Sequence, residues 1–183
     1  MHPAGGRFQQ EGKPAYSEGN VGVVVDLSTG AGSGGNAQGD ALVSIENLSG
    51  GRGNDSLTGN AGANTLAGDI GETVLRGGGG ADRFVFTAAS HSTVGAADRI
   101  TDFSHAQGDR VDLSAIDANT GAAGNQAFSF IGTALYSGVA GQLRYASDGT
   151  VTTIAGDING DGVSDFHIQL TGAIGLVAAD FVL

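Results

Sequence analysis

The chain has 183 residues, of which 34 are Gly, about 19 % against a usual share of about 7 %, with 2 Pro, 1 Met, no Cys and no Trp. Gly without triplet spacing and with so little Pro excludes collagen, and the absence of Cys excludes disulfide frameworks and Cys-based zinc sites. Nineteen acidic residues against 8 basic ones, a net charge of −11, leave no basic face for nucleic acid.

Fifteen of the acids are Asp and only 4 are Glu, and the shorter carboxylate suits turns and hard cations. No run of 18 apolar residues marks a membrane span, and residues 1–10 lack the apolar core of a signal peptide. Residues 1–15 show no periodicity and read as a mobile arm or a non-native remnant. Next comes a strand, Val21-Gly22-Val23-Val24-Val25-Asp26-Leu27, then a Gly/Ser stretch over 28–35. Residues 35–43 read as an out-of-register repeat unit with Asp40 and Leu42 at its sixth and eighth positions.

From 50 to 85 the chain divides into four units of nine. Position 1 is Gly50, Gly59, Gly68 and Gly77, position 4 is Gly53, Gly62, Gly71 and Gly80, and position 8 is Leu57, Leu66, Leu75 and Phe84. Nine residues rotate an α-helix by about two and a half turns, so successive position-8 side chains would face opposite sides. A six-residue Gly-rich turn plus a three-residue strand instead makes two units per coil and stacks those side chains inward. The Gly positions supply the positive φ that such turns require. Residues 16–85 therefore form a parallel roll. In 86–183 short apolar runs at 110–113, 127–131, 142–146, 150–155, 166–170 and 178–182 predict a β cap that closes the open end of the stack, with one short helix near 115–119.

The repeat reads Gly-Gly-x-Gly-x-Asp-x-apolar-x, a calcium-binding pattern. Calcium takes six to eight oxygen ligands, and a Gly-rich turn directs backbone carbonyls into one space while the position-6 carboxylate supplies charge. Candidate ligands are Asp55, Asn64 and Asp82 with the turn residues Gly51, Gly53, Gly62, Gly78 and Gly80. Units two apart share a side, so Asp82 faces Asn64 and Asp55 faces Thr73, with Asp69 or Glu72 able to compensate for Thr73. This predicts one to three calcium ions in the roll, the Asn64/Asp82 side being favoured. A second constellation, Asp157, Asn159, Asp161 and Asp165, matches the start of a calcium loop but has Ile168 where the bidentate Glu belongs, and reads equally as a polar hairpin turn. A third set, Asp98, Asp102, Asp109 and Asp112, either ligates metal between roll and cap or caps turns and pairs with Arg99 and Arg110. The four histidines are scattered, and neither a His-Glu-x-x-His nor a Gly-x-Ser-x-Gly motif occurs, so no catalytic site can be assembled.

The units over 50–85, the strings Ala81-Asp82-Arg83-Phe84-Val85-Phe86 and Asp98-Arg99-Ile100-Thr101-Asp102-Phe103, the stretch Asp109-Arg110-Val111-Asp112-Leu113-Ser114 and the ending Asp180-Phe181-Val182-Leu183 together resemble the repeats-in-toxin family. Over about 21–183 the likeness is to the C-terminal region of serralysin-type secreted proteases. The resemblance implies an all-β chain, a right-handed parallel β-roll of nonapeptide repeats with a C-terminal β cap, folded by calcium. It also implies that the acidic residue and apolar ending form a C-terminal signal read by a type I secretion apparatus, giving an extracellular, noncatalytic module of a larger exported protein. The alternative is a polysaccharide- or surface-binding module like those of alginate epimerases, for which only Arg52, Arg76 and Arg83 lie on the roll.

Overall fold

In a computed structural model, described for residues 7–9, 16 and 19–183, the nine-residue period becomes an alternation between two sheets. Strands of three residues follow one another as β1 (Arg7–Gln9), β2 (Val24–Asp26), β3 (Ala31–Ser33), β4 (Ala41–Val43), β5 (Asn47–Ser49), β6 (Ser56–Thr58), β7 (Thr65–Ala67), β8 (Val74–Arg76), β9 (Arg83–Val85), β10 (Asp98–Ile100) and β11 (Arg110–Asp112). The cap adds β12 (Ser129–Phe130), β13 (Gln142–Ser147), β14 (Val151–Asp157), β15 (Phe166–Thr171) and β16 (Phe181–Val182). One sheet runs β1-β4-β3-β2-β6-β8-β10-β15-β14-β13-β12, the other β16-β11-β9-β7-β5. From β5 to β11 each strand lies in the opposite sheet from the one before it, with parallel pairing inside each sheet, which is the β-roll.

The position-8 side chains fill the space between the sheets. Val25, Leu57, Leu75, Ile100 and Leu170 stand in register in one sheet. Leu48, Leu66, Phe84, Val111 and Phe181 stand in register in the other, and all ten are buried. Burying one such side chain stabilises by about 1.5–3 kcal/mol, so no single coil is self-sufficient and the stack is the folding unit. The cap closes both sheets: β15 adds to β10 and β16 adds to β11, both parallel.

Several expectations are corrected. The strand expected over 21–27 is limited to Val24–Asp26. Residues 35–43 do bury Leu42, but β4 joins the antiparallel β3 and the parallel β1 and forms no coil of the roll. No helix forms at 115–119; the short helical turns among the described residues are Gly35–Ala37, Ala89–His91 and Ala178–Asp180. The cause is Asp117, whose carboxylate accepts the amides of Asn119 (3.0 Å) and Gln126 (3.2 Å) and so competes with helical pairing. Of the expected arm at 1–15, residues 7–9 run parallel to β4 as β1, and the remainder lies outside the described residues.

The glycines divide by role. Gly71 has φ +136°, and a Cβ there would lie 1.9 Å from the Gly53 carbonyl oxygen. Position-1 glycines instead make room: a Cβ on Gly77 would lie 2.2 Å from Asp82 Oδ2, although Gly77 has an ordinary φ. Positive φ is thus only part of why the repeat needs Gly.

Candidate metal centre

Parallel stacking brings the position-6 residues of alternate units into two columns. One column holds Val23, Asp55, Thr73 and Asp98; the other holds Asn64, Asp82 and Asp109. In each column a carboxylate Oδ1 accepts the backbone N–H of the position-6 residue one coil earlier. Asp55 takes Val23 N–H at 2.8 Å, Asp98 takes Thr73 N–H at 2.8 Å, Asp82 takes Asn64 N–H at 2.8 Å, and Asp109 takes Asp82 N–H at 3.0 Å. The result is a carboxylate-to-amide ladder running along the roll.

Except at Asp109, whose Oδ2 takes the Ser104 amide, the second oxygens are unengaged. Asp55 Oδ2, Asp82 Oδ2, Asp98 Oδ2 and Thr73 Oγ1 are buried without a hydrogen-bond partner. Burial raises the pKa of Asp55 and of Asp82 to about 6, opposed by the amides they accept, with Asp69 adding to the first and Asp109 and Asp102 to the second. Burial raises Asp98 further, to about 8, against the Thr73 amide and with the help of Asp55, Asp69 and Glu72. Asp109 is raised by burial as well. A buried carboxylate with a free oxygen and acidic neighbours lacks a positive partner. Asp98 Oδ2 and Thr73 Oγ1 both lie near the space a Gly68 side chain would fill, at 2.8 and 3.1 Å from its Cβ position. These observations fit a hard divalent cation, which binds carboxylate, hydroxyl and carbonyl oxygens. Among the described residues no three His, Cys, Asp or Glu side chains converge on one point, so carboxylates alone do not make a site.

The family profile described as the peptidase M10 serralysin C terminal matches residues 20–183. This chain belongs to the serralysin C-terminal family. That family is generally calcium-binding, and its profile covers the noncatalytic C-terminal part of a metallopeptidase family. A relative, metallopeptidase AprA of Pseudomonas marginalis, is 39 % identical over 91 residues, which is 49 % of this chain and 17 % of that protein. The chain thus spans well under two thirds of the curated relative it matches. Among solved structures, the AlgE6R3 subunit of the Azotobacter vinelandii mannuronan C5-epimerase is 30 % identical with a TM-score of 0.51, covering 74 % of this chain and 71 % of that one. The AlgE6R2 subunit of the same epimerase is 29 % identical at a TM-score of 0.51, covering 74 % and 80 %.

Within this serralysin C-terminal chain the other candidates are distributed unequally. Asn64 Oδ1 accepts the Asn60 amide at 2.8 Å and its Nδ2 donates to the Glu46 carbonyl at 3.2 Å, so the Asn64/Asp82 side offers one unengaged side-chain oxygen. The Asp55/Thr73 side, extended by Asp98, offers three. Gly51, Gly53, Gly78 and Gly80 hold the positive φ of the turns, whereas Gly62 does not. Asp69 takes the place of a turn glycine with φ +61°, accepts from the Ser49 hydroxyl and lies 3.7 Å from His91 Nδ1.

Asp102 accepts the amides of Gly77 and Gly78, both at 2.9 Å, and lies 3.4 Å from Arg76 Nε. Asp109 Oδ2 takes the Ser104 amide at 2.9 Å. Asp112 pairs with Arg83 at 2.5 Å and not with Arg110, and Arg99 donates to Gln169 at 2.9 Å and not to an acid. In the second constellation Asp157 accepts the amides of Asn159, Gly160 and Gly162, and Asp165 accepts from Ile158 N–H and Asn159 Nδ2. Asp161 accepts the Val163 amide, and Asn159 Oδ1 the Asp161 amide, so this loop satisfies itself.

The role of Asp98 as the next rung is what the period alone misses. The signal was present as Asp-Arg-apolar at 82–84, 98–100 and 109–111, which repeats positions 6 to 8 after the nine-residue count has been broken by longer loops.

Proposed function

We propose that the chain is a noncatalytic module that folds on calcium and supports the secretion and stability of a larger protein exported by a type I apparatus. The observation that carries the reading is the set of buried oxygens without partners on Asp55, Thr73, Asp98 and Asp82. Asp55, Thr73 and Asp98 would hold one ion, with turn carbonyls, and Asp82 with carbonyls of the turns at 59–62 and 77–80 a second. Bound calcium would neutralise the carboxylates that otherwise repel in the compact state. Because only the folded form assembles the columns, binding would stabilise folding by mass action.

Low calcium inside the cell would then keep the chain unfolded for export, and higher calcium outside would fold it. Asp180-Phe181-Val182-Leu183 would serve as the signal, and deleting it should stop export. The test of the main reading is far-UV circular dichroism of the full chain with and without calcium. A calcium-triggered gain of β signal supports it, and a spectrum unchanged by chelation overturns it. A second reading, polysaccharide binding, is favoured by the likeness to subunits of a mannuronan C5-epimerase. It ranks lower because Arg76 and Arg83 on the roll are already paired with Asp102 and Asp112. Binding of alginate at fixed calcium would promote it.

A further inference from the structure

Of the four residues proposed as the export signal, two form a strand paired with the roll and Asp180 is held in the turn before it. Phe181 and Val182 form β16, in register with Val111 and Asp112 of β11, and Leu113 N–H donates to the Val182 carbonyl at 2.9 Å. Phe181 is buried, with its ring 5.0 Å from that of Phe130. Asp180 is buried too: its Oδ2 accepts the Val177 amide at 2.6 Å and its Oδ1 accepts from His105 Nδ1 at 2.6 Å. A carboxylate only accepts, so His105 carries its proton on Nδ1, and the neutral ring makes this bond as well as the charged one. The imidazole is further fixed edge-on against Phe103 at 5.6 Å.

His105 sits in the loop between β10 and β11, which is closed on the ladder. Ser104 N–H donates to Asp109 Oδ2, Gly108 N–H to the His105 carbonyl, and Asp109 Oδ1 in turn holds Asp82 N–H. The loop that presents His105 is therefore shaped by the same acid that joins two coils of the roll.

We infer that folding of the roll conceals the C-terminal tail, with His105 as the latch on Asp180, so that Asp180–Leu183 is either packed against the roll through β16 or a readable export signal but not both. This rests on the reading of the tail as a signal given above. It deepens that reading by making completion of the fold the event that withdraws the signal. A receptor that recognises one acid followed by apolar side chains would find the acid paired and Phe181 buried in the folded chain.

Carboxypeptidase Y, which needs no metal, tests the concealment on the full chain. Release of Leu183, Val182 and Phe181 is followed by mass spectrometry in calcium and in urea, with circular dichroism reporting the fold of each sample. Folded chain should lose these residues at least about tenfold more slowly than unfolded chain, since opening must first break the hydrogen bonds to a buried charge. His105→Ala should speed release from folded chain by about tenfold. His105→Asn, which keeps a donor near the Nδ1 position, should restore protection. Equal trimming of folded and urea-unfolded wild type overturns the inference, and so does full protection in folded His105→Ala. If His105→Ala does not fold, the wild-type comparison alone decides. A chain that is already folded without calcium would sink the calcium reading while leaving this comparison intact.

Discussion

Asp98 grips Thr73 with one oxygen and leaves the other free: Oδ1 accepts the Thr73 amide at 2.8 Å, while Oδ2 is buried without a partner beside Thr73 Oγ1. The weak point of the third repeat, a hydroxyl where the pattern asks for a carboxylate, is thus covered by an acid from the coil that follows.

Asp98→Asn should therefore lower the number of calcium ions bound per chain, whereas Asp157→Asn should not. Asp157 is fully occupied by amides of its own loop. Losing such charge-assisted bonds costs about 1.5–3 kcal/mol of stability without removing an ion. Equilibrium dialysis with atomic absorption at saturating calcium gives the counts. An equal loss of bound ion in both variants refutes the assignment.

The raised carboxylates set a pH dependence whose sign is opposite to that of ordinary salt-bridged acids. Burial holds Asp55 and Asp82 at about 6 and Asp98 at about 8 when folded, against an ordinary value of 3.8. The folded state therefore holds more protons between about pH 4 and pH 8, and stability falls as pH rises through that window. In metal-free buffer the folded fraction should fall from pH 4.5 to pH 8, roughly the span between unfolded and folded carboxylate values. Saturating calcium should flatten or reverse that slope. Far-UV circular dichroism across the window with and without calcium checks this, and a metal-free β signal that rises with pH contradicts it.

Glycine replacements should separate strain from collision. Gly149→Ala places a Cβ in open space at φ +95°, so only backbone strain opposes it, about 1 kcal/mol. Gly71→Ala adds a collision with the Gly53 carbonyl at 1.9 Å and should cost at least about 2 kcal/mol more. Denaturant unfolding in calcium measures both, and similar losses would show that the turn yields.

The core ladder predicts its own pair. Leu66 is buried between Leu48 and Phe84, so Leu66→Ala should cost about 2–5 kcal/mol. Leu135 is 79 % exposed, and Leu135→Ala should change stability by no more than about 0.5 kcal/mol.

The roll was legible because each of its constraints recurs every nine residues: a small residue where chains meet, and a large apolar one where the sheets face. Leu57, Leu66, Leu75 and Phe84 appear where the period puts them. The ladder was harder to read because the coils after Val85 are separated by loops of unequal length, which take Asp98 off the count of nine and put Asp109 three periods after Asp82, where one coil is two periods. The helix expected at 115–119 failed for a local reason, Asp117 taking amides that a helix would need in other directions. The choice between Asn64/Asp82 and Asp55/Thr73 depends on which oxygens the neighbouring amides consume, and spacing carries no trace of that.

The ladder also has a polarity. Every acid in it belongs to a later coil than the amide it holds, from Asp109 back to Asp82 and from Asp55 back to Val23. Coils are thus clasped from behind, and among the described residues no rung precedes Val23. A valine can stand there at no cost, whereas an acid at Val23, 2 % exposed, would be a charge sealed away with nothing to answer it.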